Sequence, residues 1–143
     1  EKNLWLDRGW VREERPKLTV NPELAIAESI CNSAQDMEAK YIIANTMSGK
    51  TARLVSMFRP RTNIIAMTPV LETFYQLSLV WGLTTIYNKQ LNADFISMVE
   101  KDEHILKGQG LVKPGDRIVV SAGVPHALPG KTNIMKLHTI DEE

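Results

Sequence analysis

The chain has a single cysteine, Cys31, no run of four or more basic residues, no excess of either charge and no long apolar stretch. Each absence excludes something. One thiol forms neither an internal disulfide nor a cysteine-based metal cage, and such sparse cysteine usage fits a reducing compartment, so a cytoplasmic protein is expected. The 17 Lys plus Arg balance 17 Asp plus Glu, which removes the electrostatic footprint of a general nucleic-acid or membrane-surface binder. Apolar runs of a few residues fall far short of the roughly 20 that cross a bilayer. The first residues also lack the charged-then-apolar order of a signal peptide. A length of 143 residues cannot hold a complete (β/α)₈ barrel of about 250. What is present, 43% apolar residues, suits one globular domain of ordinary size.

Residues 1–20 differ from the rest. Leu4, Trp5, Leu6, Trp10 and Val11 are interleaved with Arg12-Glu13-Glu14-Arg15 and closed by Pro16, which reads as a short helix or an appended arm. The domain proper is expected over residues 21–143. Asn21-Pro22-Glu23 supplies a cap residue, a proline at the first helical position and an acid in the first turn, and Ile26, Ile30, Ala34 and Met37 continue a helical stripe to about residue 38. Tyr41 to Ala44 fits a buried parallel strand. Thr46 to Gly49 is a turn, and a second helix carries Ala52, Val55 and Phe58 until Arg59-Pro60-Arg61. Asn63 to Met67 repeats the strand pattern. Thr68-Pro69 then opens a helix with Leu71, Phe74, Leu77 and Leu79, running to Trp81 and stopped by Gly82.

Thr84 to Tyr87 reads as a third strand, and Ala93 to Lys107 as a fourth helix with Phe95, Ile96, Val99 and Ile105 at near-helical spacing. Lys113-Pro114-Gly115-Asp116 has the composition of a type II turn. The strand Arg117 to Ser121 follows, then a loop rich in Gly and Pro over 123–132 and a last strand from Ile134 to Ile140. Such alternation predicts an α/β fold, a mostly parallel sheet with helices on both faces and an antiparallel edge pair at its end.

The chemistry concentrates in Thr46-Met47-Ser48-Gly49-Lys50-Thr51, a turn that leaves the carboxyl end of a strand and opens a helix. Backbone N–H groups and the positive helix end attract an anion there, the three hydroxyls can donate to it, and Lys50 adds a full charge. Equally, Gly49 turns the chain and the hydroxyls cap the helix with no ligand at all. The stretch matches the P-loop at Gly49, Lys50 and Thr51, but Ala44 occupies the place of the first glycine. No later strand ends in an Asp for Mg²⁺ either, so a degenerate P-loop enzyme is a lesser alternative.

Several longer stretches share order and spacing with a known family. Ile43 to Ala52, Phe58-Arg59-Pro60-Arg61, Ile64 to Pro69, Leu79-Val80-Trp81-Gly82 and Gly110 to Asp116 resemble the C-terminal domain of pyruvate kinase, and Gly123 to Asn133 resembles that domain's last loop. The match spans about residues 22–140. It implies a five-stranded α/β sandwich that binds phosphorylated effectors and forms subunit contacts, a homo-oligomer, and no catalytic residues. Mg²⁺ and K⁺ belong to catalytic domains elsewhere in such an enzyme, so no cofactor is expected in this one.

Carried over by position, the resemblance makes Thr46, Ser48, Gly49, Lys50 and Thr51 a phosphate cradle. It also places Gly123, His126, Gly130, Lys131 and Thr132 in a loop over the same ligand. Lys50 stands where many members have Arg, a point charge in place of a bidentate fork. Leu91 to Leu106 lacks the Trp and Arg that fructose-bisphosphate-activated members use for a second phosphate. A sugar phosphate or nucleotide monophosphate, with Lys131 as auxiliary charge, fits these residues at least as well. Trp5 and Trp10 suit a domain cut from a longer protein, whose catalytic barrel would be a partner in the same chain. A free-standing phosphometabolite-binding protein is the alternative.

The remaining candidates read as structural. His104, His126 and His138 fall in a helix, a loop and a strand, which disfavours a shared metal. Cys31 lies inside the first helix without a basic neighbour to activate it. Phe74, Tyr75 and Trp81 are expected in core packing, and Arg59 and Arg61 are either solvated or paired with acids of another domain or subunit.

Overall fold

The computed structural model describes residues 21–89, 94–122 and 134–142. The arm 1–20 and the loop 123–132 therefore lie outside the described residues. The described part opens with α1 (Pro22–Asp36), whose cap residue Asn21 accepts the Glu23 N–H at 3.0 Å while Pro22 takes the first helical position, where a missing N–H costs nothing. Ala27, Ile30 and Ala34 on one side of α1 are buried, the stripe expected of a helix lying on a sheet.

The elements then alternate as β1 (Tyr41–Asn45), α2 (Lys50–Met57), β2 (Asn63–Thr68), α3 (Leu71–Leu77), β3 (Leu83–Tyr87), α4 (Phe95–Gly108), β4 (Arg117–Ala122) and β5 (Ile134–Thr139). They build one five-stranded sheet in the order β3-β2-β1-β4-β5. The first four strands are parallel and β5 runs antiparallel to β4. In register, Ile43 lies between Ile65 of β2 and Val120 of β4. The α/β sandwich with an antiparallel edge, expected from the alternation, is the fold observed.

Both faces are covered, which explains why the central strands read as unbroken apolar runs. On one face Ile42, Ile64 and Val119 pack with Ala27, Ile30 and Ala34 of α1 and Val55 of α2, and Ala44 and Ala66 pack with Leu77 of α3. On the other, Ile43, Ile65, Met67, Ile118 and Val120 pack with Val99 and Leu106 of α4. Glu103 of α4 ties down the end of the chain. Its carboxylate accepts the Asp141 N–H at 2.7 Å and lies 3.7 Å from Lys107 Nζ and 3.6 Å from His138 Nε2 of β5. Among the described residues no helix is long and apolar enough to cross a membrane.

The third helix departs from the sequence expectation. Leu79, Val80 and Trp81 continue the spacing begun at Leu71, yet α3 ends at Leu77 and the chain turns through Gly82, at φ +82°, into β3. Leu79 and Trp81 are consequently 89% and 88% exposed. Tyr75 is also on the surface and Phe74 is half-buried, its ring edge-on to Tyr75 at 5.4 Å. The expected core role therefore fails for Trp81 and Tyr75 and holds in part for Phe74. Ile96 is likewise exposed, because Asp94 caps α4 and the helix turns Met98, Val99 and Leu106 inward instead. Phe58 falls at the cap beyond α2 and is exposed.

Cys31 is half-buried on α1, its thiol 3.7 Å from the Val55 carbonyl. Burial, with the nearby Glu28 carboxylate, pushes its pKa up to about 11, the opposite of an activated thiol.

Candidate functional site

Strand order places one crevice apart from the rest. The chain moves from β1 to β2 and β3 on one side of the sheet and returns to lay β4 on the other side of β1. Open α/β sheets take ligands outside the carboxyl ends of the strands at such a reversal. Here the reversal lies between β1 and β4, and the turn that leaves β1 is Thr46 to Gly49.

That turn is internally braced. Thr46 Oγ1 accepts the Gly49 N–H at 2.8 Å and Ser48 Oγ accepts the Lys50 N–H at 3.3 Å. Thr73 of α3 donates its hydroxyl to the Met47 carbonyl at 2.8 Å. Thr46 and Thr51 are buried, whereas Ser48 and Lys50 are exposed. The Thr46 and Ser48 hydroxyls therefore both serve the turn's own backbone, and Gly49, the N-cap residue of α2, contributes no side-chain cap.

Gly49 holds φ at +88°, and a Cβ placed there would come within 3.0 Å of Leu77 Cδ2. Only glycine meets both demands, a left-handed backbone and a close approach to α3. Lys50 begins α2 and its Nζ lies 2.6 Å from Glu23 Oε2 of α1. No sequence pattern marks Glu23 as part of the site, because its partner lies on a different helix.

A second polar contact lies at the same end of the sheet. Asn45, the last residue of β1, donates from Nδ2 to Asp102 Oδ2 of α4 at 2.7 Å and to the Ser121 carbonyl of β4 at 3.4 Å. Asp102 is fully buried, and this burial, opposed only in part by the Asn45 hydrogen bond, pushes its pKa up to about 7. Asp102 and Asn45 are 57 positions apart, and nothing in the local sequence of either signals the other.

The structure thus brings Thr46, Ser48, Gly49, Lys50 and Thr51 together at the carboxyl edge. Gly123, His126, Gly130, Lys131 and Thr132 lie outside the described residues. Ala44 is fully buried inside β1, so the stretch that would have to curl around a triphosphate is still strand where a P-loop needs its first glycine. Of the histidines, His104 is exposed on α4, and His138 faces Glu103 on β5. Among the described residues no group of three His, Cys, Asp or Glu side chains is placed to hold a metal ion.

These features define an open α/β sandwich domain with a helix-opening turn at its switch point. The chain belongs to the pyruvate kinase family as its C-terminal domain: the family model described as "Pyruvate kinase, alpha/beta domain" matches residues 24–138. Pyruvate kinase from Lactobacillus delbrueckii subsp. bulgaricus is 40% identical over 120 residues, covering 83% of this chain and 20% of that protein. Pyruvate kinase from Staphylococcus aureus (strain USA300) is 39% identical over 126 residues with the same coverage. Among solved structures, a pyruvate kinase from Cryptosporidium parvum superposes with a TM-score of 0.74 at 33% identity over 87% of this chain and 24% of that one. The Cryptosporidium parvum enzyme in complex with ADP gives 0.74 at 33% identity over 88% of this chain and 25% of that one. The chain spans about a fifth of the length of the curated relatives, 20% in each of these two.

Proposed function

We propose that this domain is the regulatory and assembly part of a cytoplasmic pyruvate kinase, which converts phosphoenolpyruvate and ADP to pyruvate and ATP. In this reading the domain binds a sugar phosphate or nucleotide monophosphate between Thr46–Thr51 and the loop Gly123–Thr132, and it performs no catalysis itself. The observation that carries the reading is the position of Lys50 at the start of α2, beside a glycine turn at the β1–β4 reversal. A phosphate there meets a cation, a helix start and hydroxyl donors at once, and charge-assisted contacts of this kind are roughly twice as strong as neutral ones. Lys131 and His126 would add charge from the loop. Family membership supports the rest of the proposal: assembly through copies of this domain, and Mg²⁺ and K⁺ chemistry confined to catalytic domains.

The test is thermal. A ligand held at about 100 times its dissociation constant adds near 2.7 kcal/mol of stability, a shift of roughly 9 °C for a domain of this size. Ribose 5-phosphate, glucose 6-phosphate, AMP and fructose 1,6-bisphosphate are compared at low salt, with Lys50→Ala as control. A melting temperature that moves for none of them, at millimolar concentration, overturns the effector site. Sedimentation across the micromolar range tests assembly, and a monomer throughout rules it out for the isolated chain.

A further inference from the structure

We propose that Asp102, together with Asn45 and the Ser121 carbonyl, forms a proton-operated latch that holds α4 against the carboxyl ends of β1 and β4 while Asp102 is neutral and loosens when it ionises. No ligand is needed for it to operate.

The geometry carries it. Asp102 lies on the sheet-facing side of α4, one turn before the core residue Leu106 and three positions after the core residue Val99. The sheet surface beneath that helix is formed by Ile43, Ile65, Met67, Ile118 and Val120. The carboxyl group has one polar side-chain partner, Asn45 Nδ2 at 2.7 Å on Oδ2, and its Oδ1 is buried with no hydrogen-bond partner among the described residues. A single neutral donor is far too little to hold an ionised carboxylate away from water, whereas a neutral acid with one unmade bond is a much smaller penalty. Asn45 donates to Oδ2, so the proton belongs on Oδ1.

Among the described residues, the charged groups around the latch do not rescue the anion. On α4 itself Glu103 is engaged with the Asp141 N–H, Lys107 and His138 of β5, and Lys107 also donates to the Asp141 carbonyl at 2.9 Å. At the opposite end of the sheet Lys40 pairs with Asp116 at 3.2 Å. The raised pKa of Asp102 has burial as its leading cause and the Asn45 hydrogen bond as its opposing one.

A group whose folded pKa lies above its unfolded one is protonated in both states at low pH and ionised in both at high pH. Its contribution is therefore fully present below about pH 4, the ordinary Asp range. It is lost as pH rises through about 7. Because Asn45 immediately precedes Thr46, loosening the latch also frees the strand end that positions the turn.

Three measurements decide it. In the full chain, the Asp102 carboxyl carbon followed by NMR should titrate near neutrality, and the Thr46 and Ala122 amide resonances should move with the same midpoint. Asn45→Ala, which removes the one donor favouring the ionised form, should raise that midpoint, a response that mere packing would not give. Between pH 5 and 8 the melting temperature of the native chain should fall relative to Asp102→Asn by on the order of 5 °C. A carboxyl carbon that titrates below pH 4.5, or an unchanged midpoint in Asn45→Ala, overturns the latch. The carboxyl-carbon titration uses the unmutated chain and decides the matter even if a variant does not fold.

Discussion

Lys50 Nζ and Glu23 Oε2 lie 2.6 Å apart, so the cation that opens α2 is held by the carboxylate that opens α1. Any anion arriving at the turn must share or take Lys50 from Glu23. The lysine is about half exposed, with 52% of its side-chain surface accessible, and pairs of this kind contribute little to folding. Under the proposed effector binding, the consequence of this pair falls on affinity instead.

Glu23→Gln should therefore tighten phosphate-ester binding by up to about fivefold, equivalent to ~1 kcal/mol. Lys50→Ala should remove most of it, and the double variant should show no gain over Lys50→Ala alone. Titration calorimetry with ribose 5-phosphate checks all three. Equal affinity in the native chain and Glu23→Gln would show that the carboxylate does not compete for the lysine.

Gly49 and Gly108 should respond in opposite directions to alanine. At Gly49 the left-handed backbone and the 3.0 Å approach to Leu77 act together, and Gly49→Ala should cost about 2 kcal/mol in urea unfolding. Gly108 ends α4, and a methyl group added there would meet nothing within 4 Å. Gly108→Ala should add up to about 1 kcal/mol through helix propensity and a less flexible unfolded chain.

Acid should release two local restraints. Hydrogen bonds from Ser97 and the Ile96 N–H hold the Asp94 carboxyl below its usual range, and the Lys113 N–H does the same for Asp116 with help from Lys40. Carboxylates shifted down stabilise the fold above their unfolded pKa and lose that contribution as pH falls through the folded value. Thermal stability should thus fall below about pH 4, and Asp94→Asn with Asp116→Asn should flatten that slope. A double variant with the native acid slope would place its origin elsewhere.

Trp81 offers an optical check on the short third helix. In a Trp5→Phe, Trp10→Phe background its emission should be that of a water-exposed indole, and acrylamide should quench it readily. A blue-shifted, protected emission at concentrations where the chain is monomeric would contradict the exposed position.

Much of the fold is legible in the sequence because short apolar runs bounded by Gly, Pro and cap residues leave few ways to cover a sheet. Ile42-Ile43-Ala44 and Ile64-Ile65-Ala66-Met67 are apolar at consecutive positions, a pattern suited to strands packed on both faces. The turn at Gly49 is legible for a similar reason, since its residues adjoin in sequence. Trp81 misleads because periodicity continues past Leu77, whereas the helix stops where Gly82 permits a turn that the pattern cannot show. Glu23 and Asp102 are invisible for a different reason. Each acquires its chemistry from a residue on another element, and only the topology brings the partners together.

The strand order also sets a timetable. The strands β1, β2 and β3 are joined by local crossovers, so that portion of the sheet can form as soon as its own residues are available. One side of β1 stays unpaired until β4 arrives from residues 117–122, and β5 can be laid down only after that. Completion of this sheet is therefore a late, long-range event that local helix formation cannot hurry. In a chain leaving the ribosome, the backbone of Tyr41–Ala44 spends that interval as an open edge, able to pair with any neighbouring strand before its own has been made.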